Sequence, residues 1–363
     1  MAIYDFTDKG AVKNFGRSKG VRWFKAGPIN KPINTIGSYR RILNWLERFD
    51  KSKQEELPVL DEAAADLASN KIKYGRVFKP AINPTFKIDK DWNVFAIGSC
   101  FARGVERALL DGGFNVVSAA TEFNGFERAT EGVQQLGFTN KYTTHSILNE
   151  IKWALVPGES CPEDSVVDIT SEESIDPHIN PTLKFVKREE TLKRRALISE
   201  VQGRITTCQL VVLTLGLVEC WKDNQAGVFL NMTPTKAMLD KCPGRYSLHV
   251  IGYEENKANL DEVYQILMEY GHPDLHIIVT VSPVPLLATF TGRDVVVANS
   301  FSKSVLRTVA EEWAVTKENV NYFPSYEIVN NTHRDVAWEN DLRHVKVEVV
   351  KSIMSQLVEN YVD

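Results

Sequence analysis

The chain has 363 residues, 43% of them hydrophobic and 25% charged. That is an ordinary globular composition, with room for one large α/β domain plus decoration or for two domains. A formal net charge of −4 leaves no basic excess, so no nucleic-acid partner is expected. The five cysteines (Cys100, Cys161, Cys208, Cys220 and Cys242) share no CxxC spacing, which argues against a disulfide framework or a thiolate zinc site. No cofactor and no metal are expected. The opening residues Met1-Ala2-Ile3-Tyr4-Asp5 show no charged segment followed by an apolar run, and no stretch approaches the roughly 20 apolar residues of a membrane span. With reduced thiols, the expected location is the cytoplasm.

Residues 1–90 read as an N-terminal arm or cap. Phe15 to Ile36 is rich in Gly, Pro, Lys and Arg and suggests extended or looped chain. Short helices are expected over Ser38 to Arg48 and Asp61 to Ser69, and no strand series is visible.

From residue 91 to 363 the pattern becomes α/β. Strands are expected at Val94 to Ile97, Phe114 to Ser118, Gln209 to Leu215, Leu248 to Gly252, His276 to Val281 and Asn321 to Glu327. Helices are expected from Ala102 through Leu110, at Asn259 to Tyr270, at Asn299 to Thr316 and at Val345 to Tyr361. Strands apolar on both faces that alternate with helices imply a doubly wound parallel sheet, covered on both sides. Right-handed crossovers then gather the loops after each strand at one edge, where sites form. The stretch 156–184 carries seven acids and no Lys or Arg before Lys184, and reads as a solvated insertion or lid.

The segment Ala96-Ile97-Gly98-Ser99-Cys100-Phe101-Ala102 concentrates the chemistry. An apolar strand delivers Gly98 and Ser99 to its C-terminal end, and helix-forming sequence follows at once. The helix amides and dipole would favour an oxyanion forming near Ser99. The same serine would equally serve as a plain N-cap. Cys100 is a rival nucleophile, since a thiol at a helix N-terminus is acidified, although a cysteine beside an apolar strand also packs inside. A serine nucleophile needs a base. Of seven histidines, His344 stands apart because Asp341-Leu342-Arg343-His344 precedes the last helix. In such a turn the carboxylate can hold one ring nitrogen while the other serves as base. Gly-Ser after the first strand and DxxH after the last fall on one edge of a doubly wound sheet.

The run Gly98-Ser99-Cys100-Phe101-Ala102 resembles the signature of the GSCFA family. Further stretches are similar to it in order: Tyr142 to Ile147 ahead of a helix with Trp153, Thr214 to Trp221, Tyr253 to Asn256, Ser282-Pro283-Val284 and Tyr322 to Glu327. That family is grouped with the SGNH (GDSL-like) hydrolases. The resemblance implies a flavodoxin-like three-layer α/β/α fold, with Ser99 as nucleophile and Asp341 and His344 as its relay partners. SGNH enzymes complete their oxyanion hole with a glycine amide and an asparagine. Here Gly216-Leu217-Val218-Glu219 stands where G-x-N-D is expected, so the asparagine is missing. Asn124 and Gly125 are candidates for the glycine block. Gly216, Glu219 and His145 are candidates for oxyanion or substrate contact.

The resemblance implies acyl-ester chemistry through an acyl-serine intermediate, with a carbohydrate or small acyl ester as substrate: an O-acyl esterase, or an O-acyltransferase in polysaccharide modification. An acyl-CoA or other acyl donor would then be a substrate rather than a cofactor. Trp153, Trp221 and Trp338 would either stack on a sugar or pack inside. The alternative is an SGNH scaffold that binds a glycan without turning it over. A hydrogen-bonded chain of Ser99, His344 and Asp341 in an open cleft favours the enzyme; a buried Ser99 or a blocked His344 favours the scaffold.

Overall fold

The computed structural model describes residues 3–6, 21–24, 77–129 and 137–362. In the N-terminal region β1 (Ile3–Phe6) pairs antiparallel with β2 (Val21–Phe24), a strand pair that the composition of the arm did not announce. The helices expected over 38–48 and 61–69 lie outside the described residues.

The body is a five-stranded, all-parallel sheet. Its strands are β3 (Asn93–Gly98), β4 (Asn115–Val116), β7 (Leu210–Leu215), β11 (His276–Val281) and β12 (Val320–Tyr322). They lie in the order β12-β11-β7-β3-β4. Counting only these five in chain order, that is 2-1-3-4-5, the flavodoxin-like arrangement, whose switch point lies between β3 and β7.

Alternation along the strands divides the core in two. Phe95, Ile97, Val211, Leu213, Ile277 and Val279 face one side. There they meet α2 (Thr144–Leu155), α5 (Tyr253–Tyr270) and α6 (Val295–Thr316). Val94, Ala96, Leu210, Val212 and Ile278 face the other side, against α1 (Cys100–Asp111), α7 (Ser325–Asn331) and α9 (Val347–Tyr361). Both faces of every central strand are thus covered, which makes the fold a three-layer α/β/α sandwich.

Two expected strands differ. The segment near Leu248 forms β10 (Tyr246–Val250), which lies outside the parallel sheet. It pairs antiparallel with β8 (Glu219–Asp223), which also pairs with β9 (Val228–Leu230). Tyr246 and Leu248 pack on one face into a separate apolar cluster, and Val250 at the strand's end is exposed. The last strand stops at Tyr322, because Pro324 cannot extend a ladder and Ser325 opens α7.

Within 156–184 the acids up to Glu173 are exposed, but 165–167 and 174–179 are buried. There β6 (Ser174–Ile175) pairs with β5 (Val167–Asp168). Asp176 reaches Arg195 of α3 (Arg188–Gly203) at 2.7 Å, and Arg195 reaches Glu150 of α2 at 2.6 Å. Lys141 closes the network on Glu150 at 2.5 Å and on the His178 carbonyl at 2.7 Å. Fixed charges therefore dock this segment on the body. The two remaining short helices are α4 (Lys236–Lys241) and α8 (Arg334–Ala337). Among the described residues no helix is long and apolar enough to cross a membrane.

Candidate active site

Gly98 ends β3 at φ +142°, and a Cβ there would fall 2.2 Å from the Thr214 carbonyl oxygen. Only glycine allows β3 and β7 to approach this closely at the switch point. Ser99 follows as N-cap of α1, with extended backbone and no capping bond from its side chain. The residue is 2% exposed, and its Oγ is buried with no hydrogen-bond partner among the described residues. A simple capping role is therefore not what this hydroxyl performs. Its amide donates to Thr214 O at 3.1 Å. The ladder thus occupies the Ser99 amide.

A strap over 139–143 crosses beside this turn. Lys141 N donates to Gly98 O at 2.7 Å, and Leu217 N donates to Tyr142 O at 2.9 Å. Asn231 ties the strap from outside, accepting from Tyr142 N and donating to Asn140 O. Thr143 and Ser146 form a capping box that starts α2 directly after it. Gly216 lies between strap and serine: a Cβ there would meet Tyr142 O at 2.6 Å and Ser99 Cβ at 3.2 Å.

Below Gly216 sits Lys303 of α6, 1% exposed, donating to the Gly216 carbonyl at 2.6 Å. Burial brings its ammonium down to about 7, with the Cys100 thiol pulling weakly upward and Arg343 pushing down. The neighbouring Ser302 hydroxyl accepts from Val218 N at 3.1 Å. The third turn of α6 therefore holds the 216–218 turn at two points.

Asp341 and His344 are joined. Asp341 Oδ1 accepts from the amides of Arg343 and His344 at 3.0 and 2.9 Å, and Oδ2 lies 2.5 Å from His344 Nδ1. The turn puts Leu342 at φ +51°, a left-handed conformation unusual for leucine, and buries its side chain among those beneath α9. These bonds hold the Asp341 carboxyl well below the usual carboxylate range, against the opposing effect of burial. Arg343 Nη1 lies 3.2 Å from His344 Nε2, and its Nε donates to Pro285 O at 3.3 Å. A guanidinium can only donate, so Nε2 accepts and the ring proton sits on Nδ1, facing Asp341. Between Ser99 and His344 no hydrogen bond is made. The acid–imidazole pair is exposed, the serine is buried, and Arg343 occupies the nitrogen that would face it.

The family comparison bears on this same span. Residues 93–357 match the model of the GSCFA family. The chain belongs to this family. No curated protein gives a significant match. The GSCFA match starts at β3 and ends within α9, so it contains Ser99, Asp341 and His344 and leaves out the N-terminal arm.

The other residues singled out in this GSCFA chain lie as follows. Asn124 and Gly125 are exposed on a 3-10 turn, Thr121–Gly125, and a Cβ on Gly125 would meet open space. Glu219 accepts from Thr289 Oγ1 at 2.6 Å and from Phe290 N at 3.1 Å, and so fastens the loop after β11; burial raises its carboxyl. His145 turns to Glu255 at 2.7 Å and stacks on Phe229. Cys100 is half-buried, and its thiol is pushed up by burial despite Arg343 and Lys303 nearby, which disfavours a thiolate nucleophile. Trp221 and Trp338 are buried packing residues, and Trp153 packs edge-on against His178.

Lys303, Arg343 and the strap residues Asn140 and Tyr142 were not anticipated. For Lys303 a signal existed. It falls on the inward stripe of α6 with Ala298, Ser302, Leu306, Val309 and Ala310, where a lysine is out of place.

Proposed function

We propose that this chain is an SGNH-type serine enzyme that transfers acyl groups from esters or thioesters, directed to carbohydrate. The observation that carries the proposal is the Asp341–His344 pair, with Nδ1 facing the carboxylate and Nε2 left as acceptor. A general base next to a serine needs that tautomer. A serine hydroxyl at the sheet's switch point with no partner among the described residues supports the same reading.

In the proposed reaction Arg343 releases Nε2 as substrate enters. His344 takes the Ser99 proton while Oγ attacks the acyl carbonyl, and the imidazolium is stabilised by Asp341. His344 then returns the proton to the departing oxygen or sulfur. The acyl-serine passes its acyl group to water, giving an O-acyl esterase, or to a sugar hydroxyl, giving an O-acyltransferase. Apo enzymes often hold such contacts long or misaligned, and they tighten in the substrate complex. Five free thiols are in keeping with a reducing compartment, the cytoplasm, where an acyl-thioester donor is at hand.

A second reading has its own support. The buried Ser99 and the Arg343 bond to His344 suit a glycan-binding scaffold that does no chemistry. The deciding experiment incubates the wild type and Ser99→Ala with acetylated sugars and acyl-CoA donors and weighs the intact protein. An acyl adduct on the wild type that is absent from the variant supports the enzyme. Sugar binding retained by both, with no adduct and no turnover, supports the scaffold.

A further inference from the structure

Two imidazoles from separate elements converge on one carboxylate, away from the serine. His145 lies in the first turn of α2, His249 on β10 and Glu255 in the first turn of α5. His145 Nε2 is 2.7 Å from Glu255 Oε1, and His249 Nε2 is 2.7 Å from Glu255 Oε2. The three ligating atoms all lie within 4.8 Å of one another.

The scaffold fixes this convergence. The capping box of Thr143 sets the start of α2. The Thr144 hydroxyl donates to Asn256 Oδ1 at 2.9 Å and accepts from Asn259 Nδ2 at 3.0 Å, buried bonds that lock α2 to α5 beside the cluster. Phe229 on β9 stacks on the His145 ring at 3.8 Å and lies 5.1 Å from that of His249, so the imidazoles are oriented by packing as well. The cluster is partly open: the side chains of His145, Glu255 and His249 are 12%, 33% and 38% exposed.

We propose that His145, His249 and Glu255 bind a zinc ion, with a fourth coordination position open to solvent. Two histidines and one glutamate are a recurrent zinc donor set, with ligand distances of about 2.0–2.2 Å. In tetrahedral coordination at those distances the donor atoms stand about 3.4 Å apart, so the 2.7 Å contacts of Glu255 with the two imidazoles open as the ion enters between them. Imidazole nitrogen selects zinc and its transition-metal neighbours over magnesium and calcium, which take oxygen ligands. The ion would join α2, α5 and β10, and α2 begins immediately after the strap beside Ser99.

The test uses the full chain, stripped with a chelator and dialysed. Zn2+ is titrated in competition with a chromophoric chelator, Co2+ is added separately as a spectroscopic probe, and Mg2+ serves as control. The expected result is about one equivalent of Zn2+ per chain, a visible ligand-field band with Co2+, no Mg2+ binding, and a melting temperature that rises with Zn2+. His249→Ala and Glu255→Gln should each weaken zinc at least about tenfold, the scale reached even by losing a ligand's supporting partner. Circular dichroism reports whether each variant folds, and one folded variant suffices. Substoichiometric Zn2+ with no Co2+ band in the wild type, or binding unchanged in a folded variant, overturns the site and leaves a hydrogen-bonded His-Glu-His cluster. Neither result touches Ser99, so the acyl-transfer proposal stands or falls separately.

Discussion

Lys303 donates its side-chain nitrogen to the Gly216 carbonyl at 2.6 Å, and no carboxylate pairs with it among the described residues. A buried lysine without a counter-ion is unusual. Here it anchors the turn whose glycine lies against Ser99. The bond survives loss of the proton, because a neutral amine still donates. What changes with protonation is the cost of burying the charge.

That cost gives a pH dependence of stability with a definite sign. An unfolded lysine titrates near 10.4, whereas Lys303 titrates at about 7. Between those values the unfolded chain binds more protons, so this group makes stability rise with pH. Below about 7 both states are charged, and the full penalty applies without slope. The difference amounts to about 4–5 kcal/mol across the window. Denaturant titrations of the wild type and Lys303→Met between pH 6.5 and 10 should show the gap in stability narrowing or reversing in favour of the wild type as pH rises. Parallel curves would mean that Lys303 keeps an ordinary affinity for its proton.

Ser99→Ala should stabilise the protein while removing any acyl-transfer activity. The Oγ is buried, has no partner among the described residues and does not cap α1, so deletion loses no described bond and relieves a desolvation cost of about 1 kcal/mol. Thermal melts of the two proteins without substrate read this directly. A lower melting temperature for the variant would show that the hydroxyl contributes to the fold rather than being held for chemistry.

How far the sequence discloses this arrangement depends on the range of the forces involved. Val94 to Ile97, Leu210 to Leu215 and His276 to Val281 are legible as buried parallel strands because both faces must be apolar. Leu248 to Gly252 has the same local look, yet its partner is β8, and no local pattern distinguishes that pairing. The DxxH turn is legible because it is closed by neighbours in sequence, whereas the Ser99 turn is legible only as strand, glycine and helix start, its bonds to Thr214 and Lys141 being long-range. The direction of Arg343, lying between the two relay candidates, is set by Pro285 some sixty residues away. Glu255, which receives His145, is 110 positions distant. Asp176 reads as a solvated acid until Arg195 is seen beside it.

Two glycines should respond differently to alanine. At Gly98 the added methyl collides with backbone at 2.2 Å, and φ is +142°. Separation of β3 from β7 follows, with a loss of several kcal/mol. At Gly216 no left-handed φ is imposed, but the nearest obstacle is again backbone, Tyr142 O at 2.6 Å, with Ser99 Cβ at 3.2 Å, so the strap must shift, at about 1–3 kcal/mol. Gly98→Ala is therefore expected to be expressed poorly or unfolded. Gly216→Ala should fold with a lowered midpoint and a serine displaced enough to slow acylation. Equal midpoints for the two variants would show that the switch-point approach is looser than described.

Arg343 provides the sharpest test of the relay. Its guanidinium donates to His344 Nε2 at 3.2 Å and is also tied to Pro285 O. A base whose lone pair is occupied cannot accept a serine proton, so in the proposed reaction the arginine leaves before Ser99 reacts. The hydrogen bond to be broken is charge-assisted and worth about 1.5–3 kcal/mol, enough to suppress reaction by roughly tenfold or more. Arg343→Gln, too short to span the same path, should speed covalent labelling of Ser99 by a small fluorophosphonate by about tenfold or more. The probe is neutral and offers an arginine no anionic group to bind, so a gain isolates the masking effect. Slower labelling would instead assign Arg343 to support of the developing negative charge. An unchanged rate, with Ser99 labelled normally, would place the guanidinium outside the reaction altogether.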